Sequence, residues 1–268
     1  MTRLPERDRL YVGPRHRWRT AWLAGLLAEA LARRAPAADR ARVDGPDPPV
    51  VLDLGCGEGS LALDLAARGF SVLACDRDGG RLRRLAGRGR AGGQAGRIHL
   101  FRADAQALPL AAHCLDGAAC GEVLEHLADD RGALAALRTS LRPGAPVVIS
   151  VPAGAARLGP LDRAVGHERR YDGAGLRSLL AAAGIAVREL RPWGFPFGRL
   201  YDRWVQGPAL TASDPRARRL WARLGRSAVI DRFVRLLFAL DRPLSRLAPE
   251  AGSGWLVLGH APEGAPDG

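Results

Sequence analysis

Lysine is missing from this chain: every one of the 40 residues counted as Lys or Arg is an arginine, set against 28 acids, for a formal charge of +12. Such an excess ordinarily points to nucleic acid, an anionic membrane or acidic substrates. The exclusive use of Arg, beside a heavy load of Ala and Gly, looks instead like a GC-biased coding style, so the charge is weak evidence of function. Cysteine is scarce, and Cys56, Cys75, Cys114 and Cys120 have no metal-ligand spacing. All four lie in or beside expected strands, which predicts buried thiols in a reducing compartment. No uninterrupted apolar run reaches the roughly 20 residues a bilayer requires. The opening MTRLPERDRL is too charged for a signal peptide. A soluble, cytoplasmic protein is expected, at most peripheral at a membrane. No recognisable RNA-binding module is present, and the basic residues are spread along the chain instead of clustered with stacking aromatics.

What is present begins with VVLDLGCGEGSLALDLAARGF, Val50 to Phe70. An apolar run enters alternating glycines at Gly55, Gly57 and Gly59, which reads as strand, tight turn, helix. Glycines let backbone N–H groups approach a ligand, and the helix from Ser60 aims its positive end at a bound anionic group. A nucleotide-like cofactor is implied. The dinucleotide fingerprint G-x-G-x-x-G fails, because Ser60 stands at its third glycine. A second strand, Phe70 to Cys75, ends at Asp76, where a ribose-binding acid sits in such folds. A third, Ile98 to Arg102, runs into Ala103-Asp104-Ala105, and a fourth, Cys114 to Cys120, into Gly121-Glu122-Val123-Leu124-Glu125-His126. Strands at Pro146 to Val151, Ile185 to Leu190 and Trp255 to Leu258 complete seven, with helices capped by Asp129 or Asp130 and by Asp172. Strand and helix in alternation predict an α/β fold, Rossmann-like and doubly wound, with a seven-stranded, mostly parallel sheet covered on both faces.

The run D-x-G-x-G-x-G from Asp53 to Gly59, with acids at the ends of the next strands, resembles class I S-adenosylmethionine-dependent methyltransferases. The resemblance implies a cofactor site of Asp53, Gly55, Cys56, Gly57 and Gly59, with Asp76 and its neighbour Arg77 at the ribose. It places Asp104 at the adenine amine, the Ala105 backbone N–H on the ring, and Glu122 at the same site. It also implies that the seventh strand inserts antiparallel.

If a helix starts near Gly121, Glu122, Glu125 and His126 share one face. This pattern resembles the Glu-x-x-Glu-His of the ubiquinone-pathway O-methyltransferases and the small-RNA terminal 2′-O-methyltransferases, where those side chains hold a divalent cation. His167, in GHERRY, stands where those families place a further ligand. Glu122, Glu125, His126 and His167 are thus candidate ligands for Mg, or for Mn, Fe or Zn because of the nitrogens. His126 or His167 as a metal-free base, or a purely structural role, remain open beside that. Arg169, Arg170 and Tyr171 are either contacts for an anionic substrate group or ordinary surface and core residues. The expected partner is a small or lipid-like methyl acceptor, with oxygen favoured. The rivals are an RNA methyltransferase and a non-catalytic cofactor-binding scaffold.

Around the 50–190 core, residues 1–49 are expected to form a helical cap and linker. The helix, from about His16 to Arg34, carries Trp18, Trp22, Leu26, Leu27 and Leu31 on one face. Residues 191–254 read as a helical insertion, with Leu220, Leu224, Ile230, Phe233, Leu236, Leu237 and Leu240 forming apolar faces. Arg218, Arg219, Arg223, Arg226, Arg232 and Arg235 flank them, which suits a packed lid or peripheral contact with an anionic membrane. Residues 255–268 would supply the last strand and a disordered tail.

Overall fold

The computed structural model describes residues 13–34, 48–206, 214, 216 and 227–263. Most of the expected linker, the positions Arg218, Arg219, Leu220, Arg223, Leu224 and Arg226, and the tail from residue 264 lie outside the described residues. Seven strands form one sheet in the order β3-β2-β1-β4-β5-β7-β6: β1 (Val50–Leu54), β2 (Ser71–Asp76), β3 (Ile98–Arg102), β4 (Gly117–Gly121), β5 (Pro146–Pro152), β6 (Ala186–Trp193) and β7 (Gly254–His260). The first five pair in parallel, and β7 lies antiparallel to both β5 and β6.

Alternation along the strands divides the core into two layers. Val51, Val148, Leu256 and Leu258 face one layer, where α1 (Pro14–Arg34), α2 (Ser60–Ala67) and α3 (Gly79–Ala91) supply Leu23, Leu27, Leu65 and Leu85. Leu52, Leu54, Ile149 and Val257 face the other, against Leu134 and Leu137 of α4 (Asp130–Ser140) and Leu176 and Leu180 of α6 (Gly173–Ala182). Asp129 caps α4 by accepting from the Gly132 N–H, and Asp172 caps α6 by accepting from Gly175.

Several boundaries differ from expectation. The fourth strand begins at Gly117, not Cys114, because Leu115 bridges Leu141 before the β4–β5 pairing starts. The sixth continues past Leu190 to Trp193, so the expected core boundary falls inside β6. Short helices α5 (Pro160–Val165) and α7 (Phe197–Tyr201) add to the expected set.

The N-terminal helix is core. Trp18, Leu26, Leu27 and Leu31 are buried, with Trp22 half-buried. The long helix after the described gap, α8 (Ala228–Leu244), packs on it: the Trp18 and Phe238 rings are 5.1 Å apart, and Arg17 pairs with Asp231 at 2.7 Å. Asp241, fully buried on α8, accepts from the Phe197 and Gly198 N–H groups and so fixes the start of α7.

Candidate active site

Because β1 to β4 run in parallel, the acids at their carboxyl ends share one edge of the sheet, where doubly wound folds bind ligands. At the turn after β1, Gly55 has φ +67° and an added Cβ would lie 2.5 Å from Val123 Cγ2. At Gly59, with φ +75°, it would lie 2.1 Å from Leu85 Cδ1. Both positions therefore require glycine on two counts, conformation and space. Asp76 is buried; its carboxylate accepts from the Gly57 N–H at 2.9 Å and from Asp78 N–H at 2.8 Å, tying the glycine turn to the end of β2. The Cys56 N–H donates to the Cys75 carbonyl at 2.8 Å, which closes the same corner. Burial pushes the Cys75 thiol up to about 12 and raises Cys56 as well, so both stay neutral. Asp104 is exposed after β3; a backbone hydrogen bond from Gln106 holds its carboxyl below the usual range. Arg77 is exposed beside it and Ala105 half-buried.

Asp53 is buried at the end of β1, and its Oδ2 has no hydrogen-bond partner. Burial is the main cause that pushes its carboxyl up to about 8, opposed by a backbone bond at Ala62 and reinforced by Asp76. The native protein thus holds a proton that the unfolded chain releases near pH 4, and its stability falls as pH rises between about 4 and 8. Asp53→Asn does not titrate. The melting temperature of the Asn variant relative to the parent is expected to rise from pH 5 to pH 8, by about 2–4 °C for each kcal/mol of linkage. A constant difference in thermal unfolding across that range would show an ionised Asp53.

The segment after β4 departs from the expected helix. The Glu122 N–H donates to the Ser150 carbonyl at 2.9 Å, continuing the β4–β5 pairing, and Glu122 then turns at φ +58°. Only a single 3-10 turn follows, Leu124–His126. Glu122, Glu125 and His126 are therefore not arranged on one helical face. Glu122 pairs instead with Arg19 of α1 at 3.2 Å. Burial opposes its ionisation, but Arg19 and Arg15 outweigh burial and hold the carboxyl below its ordinary value.

Glu125, His126 and His167 do come together, with one candidate ligand atom from each inside a 4.8 Å cluster. Glu125 is completely buried and neither carboxylate oxygen has a hydrogen-bond partner. Burial first, and Glu122 second, raise its pKa well above the ordinary value. His126 Nδ1 lies 2.8 Å from the Gly166 carbonyl, which can only accept, so Nδ1 carries the proton and Nε2 a lone pair. Burial lowers the pKa of this ring. His167 Nδ1 lies 2.9 Å from Asp162 Oδ1, which orients the second imidazole in the same sense. Its Nε2 is 3.9 Å from Glu125 Oε1, too far for a hydrogen bond. The two rings stand edge to face, 4.8 Å between centroids.

Asp162 and Arg19 were not among the sequence-based candidates. Asp162 also accepts from Arg170 Nε at 2.8 Å and from the Gly159 N–H at 2.9 Å, so it is the anchor of the GHERRY segment. Tyr171 is core, donating its hydroxyl to Asp130 at 2.8 Å, and Arg169 pairs with the same acid at 3.0 Å. Arg169, Arg170 and Tyr171 are thus engaged within the protein.

Residues 52–149 match a family model described as a methyltransferase domain. An O-methyltransferase, cnsE of Penicillium expansum, is 36% identical over 104 residues, which cover 37% of each chain. A putative sarcosine dimethylglycine methyltransferase from Galdieria sulphuraria superposes with a TM-score of 0.62 at 15% identity, covering 91% of this chain and 86% of that one. A geranyl diphosphate methyltransferase in complex with S-adenosylmethionine gives 0.55 at 13% identity, over 90% and 84%. At such identities the structural likeness shows the fold. The family match over residues 52–149 thus falls within a fold that this chain shares with those methyltransferases. The chain matches just over a third of its curated relative's length.

Proposed function

We propose that this protein transfers the methyl group of S-adenosylmethionine to a hydroxyl of a small or lipid-like acceptor, assisted by a divalent cation held by Glu125, His126 and His167. The observation that carries the proposal is the buried, unpartnered Glu125 carboxylate beside two imidazoles whose Nε2 lone pairs are fixed by hydrogen bonds on the opposite nitrogens. A carboxylate and two imidazoles are a donor set for Mn, Fe or Zn as well as Mg. A cation there would lower the pKa of an acceptor hydroxyl. The curated relative is an O-methyltransferase, which supports oxygen as the acceptor atom.

The cofactor side fits as well. Asp53 Oδ2 is a buried acceptor or donor without a partner, and Gly55 and Gly59 let the turn pack closely on Val123 and Leu85 beside it. Asp76 keeps lone pairs that would serve the ribose hydroxyls, and Asp104, the Ala105 N–H and Arg77, at the end of the next strand and beside it, would serve the adenine and ribose. Cys56, Gly57 and Glu122 are the remaining residues proposed for the cofactor site. In the transfer itself, the acceptor oxygen forms a bond to the methyl carbon as the carbon–sulfur bond breaks, leaving S-adenosylhomocysteine. The protein's task is to hold the hydroxyl in line, receive or shed its proton, and exclude water.

Isothermal titration is expected to show S-adenosylhomocysteine binding and no appreciable NAD binding. Asp76→Ala would leave ribose hydroxyls unpaired and weaken the affinity about tenfold to a hundredfold, equivalent to ~1–3 kcal/mol. Folded protein with no affinity for the cofactor or its product would overturn this reading in favour of a fold without its usual ligand. A non-catalytic scaffold would bind the product yet transfer nothing, and an RNA methyltransferase would label RNA in preference to small hydroxylated acceptors.

A further inference from the structure

Helix α8 is apolar over more of its circumference than its packing uses. Val234, Phe238 and Asp241 are buried against α1, β6 and α7, with Ile230 and Leu237 half-buried alongside. On a different face Val229, Phe233, Leu236 and Leu240 are 79, 60, 58 and 49% exposed. Their spacing of four, three and four residues aligns them in a stripe about 16 Å long. Four large apolar side chains held in water along one line are not explained by the core beneath them.

The exposed charged side chains beside the stripe are arginines. Arg232 is exposed on its flank, and Arg235 follows one turn later, 43% exposed and paired with Asp231 at 2.7 Å. The acids of α8 are Asp231, shared between Arg17 and Arg235, and Asp241, which is wholly buried. Neither presents a free carboxylate beside the stripe. An apolar line with cationic flanks complements the interface of a bilayer containing acidic lipids, where side chains such as Phe and Leu enter the acyl boundary and arginines remain at the headgroups.

We propose that the exposed face of α8, centred on Phe233 and Leu236, docks this protein on an anionic lipid surface. The helix would lie in the plane of that surface with its opposite face kept on Trp18 and Trp193 of the core. α1 joins α8 to Glu122 through Arg17 and Arg19, so the docking helix and the site are linked through a single helix. The docking surface itself does not depend on the methyltransferase reading.

The test is co-sedimentation of the full chain with phosphatidylglycerol–phosphatidylcholine vesicles, compared with phosphatidylcholine alone, at ~0.05 and ~0.5 M salt. Binding is expected to require the acidic lipid and to weaken at the higher salt, where exposed charges are screened within a few ångströms. Phe233→Asp/Leu236→Asp should lower the bound fraction at least tenfold, because it removes two inserted apolar side chains. Both positions are exposed, so S-adenosylhomocysteine binding and the melting temperature should be retained, which separates this result from failure of the functional reading. Arg232→Glu should reduce binding about fivefold or more. No sedimentation with acidic vesicles, or binding indifferent to the double substitution, would overturn the proposal. So would sedimentation velocity showing a dimer that the double variant dissolves, which would assign the stripe to a second copy of the chain.

Discussion

Stripping divalent cations from the protein with EDTA is expected to lower methyl transfer at least a hundredfold while S-adenosylhomocysteine still binds. Adding Mn or Mg to the dialysed protein should restore the rate. The expectation rests on ligand chemistry: Glu125 is buried with both oxygens unpartnered, a state that costs several kcal/mol if the group is ionised and nothing neutralises it. A bound cation converts that penalty into the binding site. Glu125→Gln keeps the shape but removes the charge, and should lower the rate by about 10²–10⁴ with little change in cofactor affinity. His167→Ala should behave similarly, whereas Asp162→Asn, which keeps every ligand but weakens the anchor of His167 and Arg170, should cost about tenfold to a hundredfold in metal affinity. Saturating Mn should then recover much of the activity of Asp162→Asn and little of Glu125→Gln. Full turnover by metal-free enzyme would remove the cation from the mechanism and leave the Nε2 of His126 or His167 as the base.

The parallel part of the sheet was legible because its strands carry their own signals: apolar-rich segments with Asp53, Asp76 and Asp104 near or just past their ends, and glycines where the chain must turn sharply. The edge was harder. β6 pairs only with β7, so Pro192 can sit in it without breaking a second ladder, and the strand extends through residues that read as its end. The segment after β4 misled for a different reason. Glu-x-x-Glu-His spacing suits a helix, but the Ser150 carbonyl captures the Glu122 N–H and prolongs the β4–β5 pairing to the residue that turns at φ +58°. Spacing within one segment cannot report a partner supplied by a neighbouring strand. The same limit hid Asp162 and Arg19. Their importance comes from His167 and Glu122, and in the second case the partners are separated by more than a hundred positions. What local pattern did supply was Glu125 and His126, and the resemblance added His167; the three lie near one another although the helix expected to align two of them is a single turn, while Glu122, expected with them, pairs with Arg19.

Arg19→Ala is expected to be among the most damaging single changes to stability in the N-terminal helix. The Arg19 and Glu122 side chains are only 6% and 9% exposed, and they join α1 to the end of β4 at 3.2 Å. Deleting the guanidinium leaves a buried carboxylate without its main counter-charge, which typically costs about 3–5 kcal/mol. For a domain of this size that is a fall in melting temperature of about 6–20 °C, read directly by calorimetry at pH 7. Loss of packing by the long side chain contributes too, and a double-mutant cycle separates the two effects. Arg19→Met/Glu122→Gln keeps similar volumes and removes both charges, so it should recover most of the lost stability, since a buried pair is worth little more than the neutral groups that replace it. If charge compensation is the main effect, Glu122→Gln alone should be milder than Arg19→Ala, because Arg19 also lies 3.4 Å from His16 Nδ1 and retains that neighbour. A melting temperature for Arg19→Ala within a degree of the parent would mean that water reaches Glu122 when the helix carries alanine. The N-terminal helix would then be a loosely seated cover over the site instead of part of its wall.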